Sequence, residues 1–260
     1  MRFSAAGTIG PIVASVETYP NSARTAAGLV HAYTAVGSVL ALLMVHYSYE
    51  GSVKTVLWLF LAAMVVDGTD GFLARHFRVK EVMPSFDGAL LDNIIDYITY
   101  AFAPMVLLWA NGYLPSGVFG PVCAALPLLA SCYQFCRSDA KTDDHFFLGF
   151  PSYWNIVAFY VVVVGFSTTA TAVTLLVFTV LVFVPVKYLY PSRTVTLWGL
   201  NMTLSVLWLV AFAAITAQLP DPDPWLVVVS LGYPVYYTAV SLWLTASTAA
   251  RSRGADRALA

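Results

Sequence analysis

Apolar residues fill this chain in long blocks, and polar residues gather in the short gaps between them. The blocks run over roughly 26–48, 53–76, 88–111, 114–136, 151–168, 170–190, 195–217 and 224–248. Each approaches the about 20 apolar residues that a helix needs to cross a bilayer. The pattern predicts an all-α fold, a polytopic integral membrane bundle of about eight transmembrane helices. Its weakest break is Ser167-Thr168-Thr169, between the fifth and sixth blocks. Pro115, Pro121 and Pro127 fall in the fourth block and predict a kink or tilt there.

Composition strengthens the membrane reading. Hydrophobic residues make up 59% of the 260-residue chain and charged residues only 10%. A soluble domain carries about 25% charged residues. Net charge is −1, so nothing in the bulk charge points to nucleic acid or another polyanion. Cys123, Cys132 and Cys136 lie in or at the end of one block and read as packing residues, with no disulfide framework. The first residues hold one early arginine and an apolar run broken by Gly10 and Pro11, a poor signal peptide. They read as a cytoplasmic tail over 1–25, matched by a second tail over 249–260. No repeat or soluble domain is visible, so 1–260 reads as one membrane domain.

The cations orient the bundle. With the predicted spans, Arg2, Arg24, Arg75, Arg78, Lys80, Arg137, Lys141, Lys187, Arg193, Arg251, Arg253 and Arg257 fall on the side of the N-terminus. Lys54 alone falls on the other, a split of 12 to 1 among 13 cations. The excess of Lys and Arg on cytoplasmic loops places both termini in the cytoplasm.

The chemistry concentrates between residues 67 and 96. Asp67, Asp70, Asp92 and Asp96 sit inside or beside two apolar blocks, where carboxylates are costly and usually functional. On a helix, relative to Asp67, Asp70 lies near about 300°, Gly71 near about 40° and Ala74 near about 340°. Two acids and two small residues therefore share a face, with Arg75 at its edge. Gly88, Asp92 and Asp96 form an i, i+4, i+8 row, its two acids about 6 Å apart along the axis. If the two faces meet, four carboxylates converge near the cytoplasmic boundary. Mutual repulsion prevents all four from staying charged unaided, and oxygen donors of this kind suit Mg²⁺ or Mn²⁺. A metal there attracts a pyrophosphate and stabilises its leaving phosphate. Asp96, deepest on its helix, is placed to act as general base. A cation transporter is the alternative of another class, but it predicts acids spread through the membrane depth, and these four lie toward one side.

The pattern Asp67-x2-Asp70-Gly71-x2-Ala74-Arg75-x12-Gly88-x3-Asp92-x3-Asp96 resembles the signature of the CDP-alcohol phosphotransferase family. The spacer of 12 residues is longer than in most members and looks like the bacterial phosphatidylcholine synthase branch. The segment from Asp139 to Asn155 is similar to that branch as well. The resemblance implies a reaction of CDP-diacylglycerol with choline that gives phosphatidylcholine and CMP. It implies that Asp67, Asp70, Asp92 and Asp96 hold one or two Mn²⁺ or Mg²⁺ ions and that Asp96 is also the base. Thr34, Asp67, Asp70, Gly71, Ala74, Arg75 and Gly88 would lie beside the CDP donor. The family's Asn-x-x-Thr pattern in the first span reads His31-Ala-Tyr-Thr34 here; Thr34 fits and His31 departs. A homodimer in the bacterial inner membrane, with its site facing the cytoplasm, completes the expectation.

The acceptor is the open point, with serine the alternative to choline. Quaternary ammonium groups rest on aromatic faces. Tyr100, Tyr153 and Trp154 are the candidate cage residues, within a cluster that includes Tyr97, Tyr133, Phe135, Phe146, Phe147 and Phe150. Aromatics at this depth also serve as ordinary interface anchors. Asp139, Asp143 and Asp144 suit a cationic acceptor better than an anionic one.

Overall fold

The computed structural model describes residues 19–259, with side chains through residue 248. Residues 1–18 of the expected N-terminal tail lie outside the described residues, and 21–25 belong to the first helix instead. From the first described residues the chain enters α1 (Asn21–Tyr49), turns through Gly51 at φ 72°, and returns as α2 (Val53–His76). The turn needs a residue without Cβ, because that φ is in the left-handed region. A short helix, α3 (Val79–Val82), interrupts the following loop. α4 (Gly88–Asp96) then starts at Asp87, whose carboxylate accepts from the Leu90 amide at 3.0 Å, a helix N-cap.

The predicted third span is not a uniform α-helix. Directly after Asp96 it widens into a π-helical segment, Tyr97–Phe102, and resumes as α5 (Ala103–Ala110). Pro104 explains the change. It has no amide hydrogen to give the carbonyl four residues back, and its ring crowds that carbonyl. The fourth span, α6 (Phe119–Cys136), starts later than its apolar block. Pro115 precedes it, Pro121 lies in its first turn where proline is tolerated, and Pro127 alone is interior.

The fifth and sixth spans need correction. α7 (Trp154–Val164) has 11 residues and α8 (Thr168–Phe183) has 16, about 16 and 24 Å long, short of a hydrocarbon core of about 30 Å. Gly165 at φ 72° ends α7, and the Ser167 hydroxyl accepts from the Ala170 amide at 3.2 Å to start α8. What hydropathy shows as a weak break is thus a full helix stop and start. The apolar residues flanking the pair are extended instead. β1 (Phe146–Leu148) precedes α7, β2 (Lys187–Leu189) follows α8, and the strands pair antiparallel with Phe147 opposite Tyr188. The chain therefore enters α7 and leaves α8 at one small sheet, while α7 packs against α5 and α8 against α6 within the bundle.

The chain continues through α9 (Trp198–Gln218), α10 (Pro224–Ser230) and α11 (Gly232–Leu259). Among the described residues, six helical stretches are long and apolar enough to cross a membrane, taking Gly88–Ala110 and Pro224–Thr248 as continuous. The protein is an all-α, multi-pass membrane protein, and its described residues hold six such stretches and two shorter apolar helices.

Met44, Phe60, Leu107, Trp154, Phe159 and Phe212 are completely buried and join the helices into one core. Leu42, Val180, Leu207 and Trp243 point outward, as lipid-facing surfaces do. Gly37 lets α1 lie directly against α4, since a Cβ there would overlap the Ile95 side chain. At the end of the bundle away from the small sheet, the Lys54 ammonium donates to the carbonyls of Ala217 and Leu219 at 2.7 and 3.1 Å. The isolated cation thus caps the negative end of α9.

Candidate metal and phosphate site

α1, α2 and α4 meet where their sequence patterns place polar groups on apolar faces. Asp67 and Asp70 project from the last turns of α2, and Asp92 from α4. Asp67, Asp70 and Asp92 each offer an oxygen within 4.8 Å of the others. Asp96 stands one turn beyond Asp92 and outside that triad. All four acids, together with Thr34, border a small void of about 10 Å³, near the space of one water or small ion. The predicted convergence is therefore present, as a triad with a fourth carboxylate beside it.

Neighbouring hydroxyls fix two of the carboxylates. Thr34 Oγ1 on α1 donates to Asp70 Oδ2 at 2.8 Å. The Tyr100 hydroxyl, in the π segment, donates to Asp67 Oδ2 at 2.7 Å. Each acid keeps its other oxygen for a ligand, which is how outer hydrogen bonds orient metal-binding carboxylates. An all-oxygen set of three close acids fits a hard divalent cation. A counter-charge is also at hand: Lys141 Nζ lies 3.6 Å from Asp92 Oδ2. Burial lowers the pKa of Lys141, but Tyr190 and the carboxylates of Asp92, Asp96 and Asp67 outweigh it and hold the pKa above its usual value.

The acids open into a cavity of about 1000 Å³, a volume suited to a large ligand. Thr34, Gly71, Ala74, Arg75 and Gly88 all line it, as do Tyr100 and Tyr153. The two glycines have particular neighbours. A Cβ on Gly88 would lie 2.8 Å from His31 Cε1, and one on Gly71 would lie 3.2 Å from Arg75 Nη1. Gly88 thus makes room for His31, not only for a ligand. His31 lines the cavity, packs on Phe86 with ring centroids 4.2 Å apart, and leaves Nε2 buried without a hydrogen-bond partner. Arg78, Lys80 and Arg193 add positive charge to the wall.

Trp154 is a correction. It is fully buried, its indole nitrogen donates to Ser131 Oγ at 2.7 Å, and it packs against Phe150 with centroids 5.1 Å apart. It is core, because α7 begins there and turns its first side chain inward. Two lining residues had no separate role in the sequence reading. Phe147 was one name within an aromatic cluster, and Tyr190 was not singled out. Their rings stack at 4.5 Å on one face of the small sheet. Strand alternation over 146–148 and 187–190 was the signal that could have found them, but short apolar strands next to spans read as more helix.

No protein-family model matches the chain. Phosphatidylcholine synthase of Legionella pneumophila is 40% identical over 227 residues, covering 85% of this chain and 89% of the relative. That of Pseudomonas aeruginosa is 36% identical over 218 residues, covering 84% and 91%. That of Borreliella burgdorferi is 33% identical over 224 residues, covering 85% and 95%. Identity at this level over most of both chains, together with the carboxylate cluster, places the chain: it belongs to the phosphatidylcholine synthase family.

Proposed function

We propose that this phosphatidyltransferase moves the phosphatidyl group of CDP-diacylglycerol to choline, giving phosphatidylcholine and CMP. The observation that carries the reading is the triad of Asp67, Asp70 and Asp92, with Asp96 beside it, opening on a wide cavity. Asp67, Asp70 and Asp92 would hold Mn²⁺ or Mg²⁺, with Asp96 completing the set. When bound, such an ion would supply positive charge to offset the donor pyrophosphate and the departing phosphate. Arg75, beside Gly71 and Ala74, faces the donor phosphates, and Thr34 and Gly88 shape the same wall. Thr34 acts through Asp70, whose carboxylate it orients.

Asp96 takes the proton from the choline hydroxyl. The choline oxygen forms a bond to the phosphorus that carries diacylglycerol. The bond from that phosphorus to the bridging oxygen breaks, and CMP leaves with the electron pair. Asp96 suits this role because it borders the same void as the triad without belonging to it.

The reading takes 1–260 as one domain, working as a homodimer in the bacterial inner membrane. The site and both tails face the cytoplasm, the side to which 12 of the 13 cations are assigned. Purified protein given CDP-diacylglycerol, Mn²⁺ and labelled choline, serine or glycerol phosphate tests the chemistry. Label enters lipid from choline, with release of CMP. Labelling from serine instead overturns the acceptor, and no CMP release with any alcohol overturns the reaction.

A further inference from the structure

The two-stranded sheet has no evident task in metal or pyrophosphate binding, yet it forms part of the cavity wall. Strand alternation explains how. Side chains two apart share a face, so Tyr188 and Tyr190 point the same way, and Phe147 pairs with Tyr188. Phe147 and Tyr190 are therefore diagonal neighbours on one face, stacked at 4.5 Å. The opposite face carries Phe146 and Leu189 into a separate apolar cluster with Leu244. One face anchors the sheet, and the other presents aromatic rings to the cavity.

Those rings continue toward the acids. Phe147 lies 6.2 Å from Tyr153, centroid to centroid, and Tyr153 lies 6.0 Å from Tyr100. Tyr100 is hydrogen-bonded to Asp67 at 2.7 Å. All four rings line the same cavity. Interface anchors face lipid headgroups, whereas these face an internal polar space.

We propose that the small sheet supplies the acceptor subsite: Phe147 and Tyr190, continued by Tyr153 and Tyr100, form the aromatic wall on which the quaternary ammonium of the acceptor rests. This rests on the choline reading above and deepens it. Centroid spacings of 4.5 to 6.2 Å leave no room for a trimethylammonium between adjacent rings. The cation instead lies against their cavity side, where attraction acts within about 6 Å of a ring centroid. Two carbon atoms separate the choline nitrogen from its hydroxyl. A cation against Tyr153, between Phe147 at 6.2 Å and Tyr100 at 6.0 Å, turns its hydroxyl toward the acids beside Tyr100. Asp96, outside the metal triad, adds negative charge, while Asp92 is paired with Lys141.

The test compares choline with 3,3-dimethylbutan-1-ol, its neutral carbon isostere, at saturating CDP-diacylglycerol and Mn²⁺. Wild type, Tyr190→Ala, Phe147→Ala and Tyr190→Phe are assayed in lipid vesicles. Phe147→Ala raises the choline KM about tenfold, the scale of one desolvated cation–π contact, Tyr190→Ala raises it by less because it acts through the Phe147 ring on which it stacks, and both narrow the preference over the isostere. KM for CDP-diacylglycerol stays unchanged, and Tyr190→Phe keeps the wild-type preference because the ring remains. If an alanine variant does not fold, Tyr190→Leu and Phe147→Leu replace it, keeping apolar bulk without a π face. Folded variants with an unchanged preference overturn the subsite while leaving the choline reading standing. A wild type that forms no lipid from choline overturns that reading and the subsite together.

Discussion

Replacing Thr34 by Val preserves side-chain size and removes the hydroxyl that donates to Asp70 at 2.8 Å. Losing an orienting partner of a metal ligand costs about 10–100-fold in metal affinity. Thr34→Val is therefore expected to need about 10–100-fold more Mn²⁺ for half-maximal turnover, read from a metal titration. An unchanged titration would mean that Asp70 holds its orientation without Thr34. Gly88 tests a different kind of constraint. Gly88→Ala places a Cβ 2.8 Å from His31 Cε1, so α1 and α4 must separate or His31 must turn. Thermal stability falls by about 1–3 kcal/mol, the usual cost of overpacking, and His31→Ala in the same chain recovers most of it. An additive double mutant would rule out this contact as the cause. The four aspartates were legible because helical spacing alone puts them on two faces. Thr34 was legible as a position but not as a donor to Asp70, since that bond depends on how α1 sits against α2. Tyr190 was silent, because its partners Phe147 and Lys141 are distant in sequence.

The π segment shows where a helix-period reading stops working. Residues before Tyr97 follow the expected row, and residues after Phe102 are turned relative to it. The signal was Pro104, which sits inside an otherwise continuous apolar block. Pro104→Ala restores an amide donor and favours ordinary α-helix across Tyr97–Phe102. The turn would move Tyr100 away from Asp67. Turnover is expected to fall about tenfold, matching the loss of one hydrogen bond of about 1–1.5 kcal/mol, with thermal stability no lower than wild type. A variant of full activity would show that the widened turn is incidental to the site. The small sheet carries its own tie, from Lys187 Nζ to Asp144 Oδ2 at 2.6 Å. Burial raises the Asp144 pKa, but the bonds from Lys187 and Thr142 more than offset it, leaving the pKa below its usual value. A carboxyl with a lowered folded pKa stabilises the fold above its unfolded value of about 3.9, and that contribution is lost as pH falls through the folded value. The stability gap between wild type and Asp144→Asn should therefore be widest at neutral pH and close below about pH 4. A gap that stays constant with pH would assign the effect to something other than this charge.

Across the whole molecule, parity matters more than the number of spans. Eight apolar blocks were legible, but two of them are shorter helices, because hydropathy does not register a left-handed glycine, a serine cap or a two-stranded sheet. The difference does not change the orientation that the cations predict. β1 and β2 pair directly, so the chain enters and leaves the α7–α8 hairpin at one level, whether or not the hairpin reaches the far side. Helices before and after it keep the sidedness given by the cations. Contacts mark the two ends of the bundle: Lys54 reaches Ala217 and Leu219 at one, while Lys141 meets Asp92 and Thr194 meets His145 at the other. Single cysteines at Asp221 and Asp143, in a background with Cys123, Cys132 and Cys136 replaced by alanine, separate the two ends in cells. A membrane-impermeant maleimide added outside spheroplasts should label Asp221→Cys and spare Asp143→Cys until the membrane is opened. Labelling of both positions from outside would break the even-parity arrangement and place the carboxylate cluster on the wrong side for a cytoplasmic CDP donor.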